Sequence, residues 1–166
     1  MVAADAFRTV LGNFATGVTV VTLPGEDPHG ITVNAFASLS LDPPVVLVSL
    51  DHGTEAHRIL QDTDTDAYAV NVLTTEQRGL AEHFAGMTED GDPFTEEATT
   101  TEATGAPLFE ESLATVDCTL HDTFTVGDHT IYAGRAEHAA VRTEGADPLT
   151  FYRGEWGTVT DDPFDD

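Results

Sequence analysis

Two extended stretches constrain the fold of this 166-residue chain more than any other feature. Ala114, Val116, Cys118 and Leu120 alternate strictly with polar residues, the period of a strand with one buried face. Thr130 to Val141 is a second extended stretch, and the turn formers Gly127 and Asp128 lie between the two. An antiparallel pair is predicted. The remainder of the chain repeats the theme. Val18 to Leu23 is a Val/Thr-rich run, and PGEDPHG after it supplies the turn of a hairpin. From Ile31 to Leu41 apolar residues alternate with Thr32, Asn34, Ser38 and Ser40, which predicts one strand with a polar face; Phe36 breaks the pattern. Asp42, Pro43 and Pro44 turn the chain into Val45 to Leu50, a nearly continuous apolar run that reads as an interior strand. Tyr68 to Leu73 is a further strand, and Leu149 to Thr158 a last one.

Helices are few and short. Phe7, Val10, Leu11 and Phe14 recur at helical spacing and mark an opening helix that ends near Gly17. Thr54 is a plausible N-cap for a helix carrying Ala56, Ile59 and Leu60 on one side. Thr74 and Gln77 have the spacing of a capping box before a helix that runs to Phe84 and stops at Gly86. Met87 to Glu111 is acidic and threonine-rich, without a period, and predicts a long surface excursion or lid. Strands outnumber helices and do not alternate with them. The fold class expected is therefore mainly β, an antiparallel barrel with short helices at its ends rather than a doubly wound sheet. The length suits a single domain over residues 1–160, followed by an acidic tail at 161–166.

Composition restricts the partners. Thirty acidic residues face six basic ones, a formal net charge of -24, and all six are arginines. The absence of lysine excludes Schiff-base and P-loop chemistry, and the charge opposes binding to nucleic acid or to an anionic membrane. In molar salt the Debye length shrinks to about 3 Å, which screens such self-repulsion, so the surface suits a halophile's cytoplasm. Cys118 is the only cysteine, which excludes an intramolecular disulfide, and its strand context predicts a buried, inert thiol. MVAADAFRTV lacks the features of a signal peptide and no apolar run has membrane-spanning length, so a cytoplasmic location is expected.

The common catalytic signatures GxSxG, HExxH, GxGxxG and GxxxxGK are missing. Seven histidines are scattered without a shared helix face, His52 and His57 being five apart, and no metal site is expected from them. What remains is the polar strand Thr32, Asn34, Ser38 and Ser40, beside an apolar strand that reaches Ser49 and a helix start at Thr54. That set suits a flat heteroaromatic ring with a phosphate tail. A solvent-facing strand surface has the same composition.

Several ordered blocks add to this reading: FATGVTVVT (14–22), HGITVNAFASLSLDPPVVLVSL (29–50), AVNVL (69–73), HFAG (83–86), GDHTIYAG (127–134) and PLTFYRGEW (148–156). Together they resemble the short-chain flavin reductase family, the reductase components of two-component flavin monooxygenases, which have the FMN-binding split-barrel fold. The resemblance implies a homodimer that binds FMN or FAD, takes hydride from NADH or NADPH and supplies reduced flavin to a partner monooxygenase. A flavin carrier without NAD(P)H activity is the alternative. On the same basis Thr32, Val33, Asn34 and Ala35 would meet the isoalloxazine, Ser49 and Leu50 would follow its edge, and Thr54 would reach the phosphate. Phe84, Ala85 and Gly86 would close the pocket, although Phe84 reads equally well as a helix-end core residue. His129 would stand beside the nicotinamide; its other reading is a polar residue at a hairpin tip. Arg8, Tyr152 and Arg153 are candidates for dinucleotide contacts, and either arginine could instead be an ion-pair partner. One departure stands out. Where relatives often read SSRTH, this chain has Gly53, Thr54, Glu55, Ala56 and His57, so a hydroxyl and a positive charge are missing and Glu55 would repel a phosphate.

Overall fold

The computed structural model describes residues 2–62, 64–88 and 91–159. In chain order the elements are α1 (Ala4–Leu11), β1 (Thr16–Gly17), β2 (Thr19–Leu23), β3 (His29–Val33), β4 (Phe36–Leu41), β5 (Pro44–Asp51), α2 (Glu55–Asp62) and β6 (Ala67–Val72). A 3₁₀ turn (Thr75–Gln77) then leads into α3 (Arg78–Phe84), α4 (Pro93–Glu96), β7 (Thr99–Thr100), β8 (Leu108–Phe109), β9 (Ala114–Val126), β10 (His129–Val141), β11 (Thr150–Tyr152) and β12 (Glu155–Gly157). The long pair β9 and β10 is antiparallel, as the alternation predicts, with Gly127 at positive φ in the turn. Seven strands form one antiparallel sheet in the order β3-β2-β6-β9-β10-β5-β4. The expected antiparallel barrel with short helices is thus the fold. No helix is long and apolar enough to cross a membrane among the described residues.

The single strand expected over Ile31 to Leu41 is two strands at opposite edges of this sheet. β3 pairs with β2 and β4 with β5, so the chain crosses from one edge to the other through Asn34 and Ala35. Phe36, the residue that breaks the alternation, opens β4 opposite Val48. The crossing closes the sheet on itself, and the Ser49 N–H donates to the Ala35 carbonyl at 3.1 Å. The apolar inner face of the barrel gathers Val21, Leu23, Val33, Val48, Leu50, Val70 and Tyr132 around Tyr68, and α2 plugs it with Ala56 and Leu60. Cys118 belongs to this core; burial pushes its thiol up to about 12, which keeps it protonated and inert.

A second apolar cluster lies outside the barrel, where α3 and Phe109 pack against β2. Gly30 permits this docking, because a Cβ there would fall 2.4 Å from the Phe84 ring. The Thr32 hydroxyl adds a bond of 2.7 Å to the Ala81 carbonyl. Thr74 and Gln77 form the expected capping box, opening the 3₁₀ turn, and Gly86 ends the segment at φ 71.

Three further expectations need correction. Residues 87–111 are no surface excursion throughout: Pro93, Ala106, Leu108 and Phe109 are buried, and Phe94 stacks on Phe109 at 5.6 Å. Buried polar side chains hold this stretch where periodicity is absent. Asp117 accepts the N–H groups of Ala103 and Thr104 at 2.8 and 3.0 Å as well as the Thr104 hydroxyl, and Asn71 accepts the Phe109 N–H at 2.8 Å. The opening helix stops at Leu11 instead of near Gly17, because the chain must extend for β1 to pair with β11. The final strand is a hairpin, β11 and β12, joined at Arg153 and Gly154, both at positive φ. The tail expected at 161–166 lies outside the described residues.

Candidate functional site

Where the barrel closes, a cavity of about 700 Å³ opens between α1, the β11–β12 hairpin and the β3–β4 crossing. That volume falls in the range of small-molecule sites. Phe36, Leu47, Val72 and Phe151 supply apolar wall, while Asn34, Thr16, Arg8 and Arg153 supply polar groups. The Thr16 hydroxyl is buried without a hydrogen-bond partner among the described residues, and the Asn34 amide is exposed at the cavity. A buried hydroxyl is costly to leave unmet, so a ligand with polar edges fits here. Among the expected flavin contacts the cavity includes Asn34 and Ala35, and among the dinucleotide contacts Arg8 and Arg153.

The other expected residues stand around it. Val33 and Leu50 turn their side chains into the barrel core, which leaves only their backbone to a ligand. The Thr32 hydroxyl is committed to α3. Ser49 pairs with Ile131 and His129 with Asp51, so His129 lies four residues along β10 from Ala133, the partner of Leu47. At about 3.3 Å per residue this is roughly 13 Å from the cavity wall. The His129 Nδ1 is 2.8 Å from the Asp128 carboxylate, and that hydrogen bond holds the carboxyl below its usual range. Thr54 caps α2: its hydroxyl accepts the His57 N–H at 3.2 Å and donates to the Asp51 carbonyl at 2.7 Å. Glu55 is bound by Arg58 through Nε and Nη2, which offsets its negative charge beside that helix start. Phe84 packs between His83 and Phe94 in the outer cluster, which favours its core reading. Ala85 and Gly86 follow it at the end of α3. Tyr152 lies outside the cavity, with the Arg153 guanidinium 4.9 Å from its ring centre.

Sequence reasoning missed two groups. Leu47 and Phe151 are cavity walls that only the closure of the barrel brings together, although Phe36 was marked by its broken alternation. The histidines five apart also meet: the His52 and His57 rings lie 4.6 Å apart, His52 Nε2 is 3.0 Å from the Thr130 hydroxyl, and His57 Nδ1 is 2.7 Å from the Tyr132 hydroxyl. His29 has its pKa lowered by burial, against an opposing pull from Glu55. Asp51, Asp128 and His129 place three potential ligand atoms within 4.8 Å of one another on the surface, as exposed acidic clusters commonly do.

Residues 11–160 match the model of a flavin reductase like domain. The chain is 38% identical over 156 residues to an NADH-dependent flavin reductase of Rhodococcus sp, covering 92% of this chain and 84% of that protein. It is 37% identical to HsaB of Mycobacterium tuberculosis, the reductase subunit of a flavin-dependent monooxygenase, over 90% of this chain and 79% of that one. Among solved structures, the Streptomyces globisporus NADH:FAD oxidoreductase SgcE6, in complex with NAD and FAD fragments, superposes with a TM-score of 0.84 at 36% identity, covering 94% of this chain and 92% of that chain.

Proposed function

Because the chain belongs to the flavin reductase like family, we propose that it reduces FMN or FAD with NADH or NADPH and passes the reduced flavin to a partner monooxygenase. The observation that carries this reading is the cavity at the barrel closure, with apolar walls, the buried unmatched Thr16 hydroxyl and the exposed Asn34 amide. When bound, the flavin supplies the hydride-accepting ring; the protein need only bind, align and exclude water. Phe36, Leu47 and Phe151 pack against a flat ring and keep water from it, while the Asn34 amide offers a donor and an acceptor to its polar edge. The backbone of Ser49 and Leu50 extends this wall along β5 towards Thr54, where the first turn of α2 faces a phosphate with Glu55 already engaged by Arg58. His129, oriented by Asp128, aligns the nicotinamide.

Anaerobic rapid mixing tests both halves of the proposal. The parent protein should bind flavin and bleach it on addition of NADH or NADPH. His129→Ala should leave flavin affinity within about twofold and slow bleaching by about 10²-fold, the loss expected from poor alignment. A variant as fast as the parent would return His129 to a hairpin-tip role. Flavin binding without oxidation of either dinucleotide would leave a carrier and overturn the reductase reading.

The protein functions as a homodimer in a salty cytoplasm, residues 1–160 acting as one domain. What supports the dimer is α1, whose Phe7, Val10 and Leu11 share a face and are each more than half exposed, as are Leu39 and Leu41 on β4. Val10→Asp should therefore shift the protein from dimer to monomer in light scattering at molar salt. An unchanged mass would place the interface elsewhere.

A further inference from the structure

The helix that plugs the barrel is locked by a hydrogen-bond chain whose direction follows from its one pure donor. Tyr132 is fully buried in the barrel core, and its hydroxyl meets two groups of α2, Gln61 Nε2 at 3.1 Å and His57 Nδ1 at 2.7 Å. Gln61 Nε2 donates and has no lone pair to offer, so the Tyr132 oxygen accepts from it. Burial holds the Tyr132 phenol above its ordinary range and keeps its proton in place. That one proton is left for His57 Nδ1, which can accept it only as an unprotonated nitrogen. The His57 ring is therefore neutral in the folded protein.

The backbone of the same residue reaches the other way. The His57 N–H donates to the Thr54 hydroxyl at 3.2 Å, and that hydroxyl donates to the Asp51 carbonyl at 2.7 Å. One residue thus ties the first turn of α2 to the barrel core through its ring and to the end of β5 through its backbone. A proton on Nδ1 would confront the Tyr132 hydroxyl with a second donor and leave the phenol proton buried without an acceptor, so protonation must break the link to the core. The other titratable and charged groups around α2 have engagements of their own. His52 stacks on His57 with ring centres 4.6 Å apart and contacts the Thr130 hydroxyl, so a charge on His57 would fall beside a second imidazole. Glu55 binds Arg58 and acts on His29 at the start of β3, the Asp51 carboxylate accepts the Gly53 N–H at 2.6 Å, and Asp128 holds the His129 ring.

We propose that His57 is a pH-sensitive positioning residue: neutral, it holds the first turn of α2 in place for the flavin phosphate, and on taking up a proton it releases that turn. The proposal rests on the placement of the flavin phosphate at the start of α2 given above. The seated helix requires the neutral ring, whereas in an unseated one the ring titrates near the ordinary histidine value of about 6.5. Seating is thus fully present above that value and is lost as pH falls through it. Between pH 7.5 and 5.5 the unseated fraction should rise about tenfold.

Hydrogen exchange of the α2 amides in molar KCl tests the latch without any flavin. Corrected for the intrinsic pH dependence, exchange in the parent should quicken about tenfold between pH 7.5 and 5.5. His57→Asn, whose side-chain oxygen can accept from Tyr132 and takes no proton, should change by less than about twofold, as should Tyr132→Phe, which removes the hydroxyl. Exchange as flat in the parent as in the variants, or a tenfold change retained in His57→Asn, would overturn the proposal. Flavin binding at pH 7.5 tests the positioning. His57→Ala should raise the Kd for FMN about fivefold, the loss of one hydrogen bond, and that for riboflavin, which lacks phosphate, by less than about twofold. His57→Asn should restore the parent value for FMN. Equal losses for the two flavins, or no loss for either, would overturn the positioning role. If His57→Ala does not fold, Tyr132→Phe takes its place in the titration with the same outcomes. Should the parent bind no flavin, the functional reading fails by itself, and the exchange measurement alone decides whether His57 latches α2.

Discussion

Transferred from molar KCl to dilute buffer, the protein should lose its cooperative melting transition or show it at a far lower temperature. Thirty acidic residues and six arginines leave a charge of -24 on 166 residues, and five of the arginines are already tied to single neighbouring carboxylates. The excess charge has no internal counter-ion, so screening must come from the solvent. The Debye length falls from about 10 Å at 0.1 M to about 3 Å at 1 M, and the rise in melting temperature should be steepest across that interval. Trimethylamine N-oxide separates screening from a general strengthening of burial, because it favours compaction without carrying net charge. It should not reproduce the effect of KCl. A midpoint equal in dilute buffer and molar KCl would contradict the halophilic reading.

Asp117→Ala should destabilise the protein by about 3 kcal/mol, even in molar salt, because it removes a fully buried carboxylate that accepts three hydrogen bonds. The N–H groups of Ala103 and Thr104 and the Thr104 hydroxyl all converge on this carboxylate. With it gone, the stretch that carries Ala106, Leu108 and Phe109 into the core loses its tether to β9. At this chain length the change corresponds to a drop in melting temperature of roughly 10 °C. Limited proteolysis should show cutting between Thr99 and Phe109 before the barrel opens. Asp117→Asn keeps an acceptor and should lose less. An unchanged melting curve for Asp117→Ala would mean that the 93–112 stretch is held by its apolar contacts alone.

The two predictions differ in how far the sequence anticipates them. The charge is a sum over residues and needs no fold, which is why the expectation of a salt requirement can be drawn from the sequence alone. Alternation is local too, so β9, β10 and the capping box at Thr74 follow directly from side-chain order. The anchoring of residues 87–111 is of another kind. Asp117 and Asn71 act on backbone groups more than ten residues away, and no period marks a segment held by distant side chains.

The same division runs through the candidate site. The polar strand residues and the block order of the family are written in the chain, and they mark Asn34, Ala35 and Arg153, which line one cavity. That Ile31 to Leu41 is two strands on opposite sheet edges is a property of closure, because a strand's alternation is blind to which neighbour it will pair with. Closure brings Leu47 and Phe151 to the same wall, commits the Thr32 hydroxyl to α3 and turns Val33 and Leu50 inward. It also leaves Arg153 alone among the arginines without a carboxylate among the described residues. Charge and local period are additive along a chain and could be read from it; which groups remain unmatched depends on every other pairing, and only the folded structure decides that.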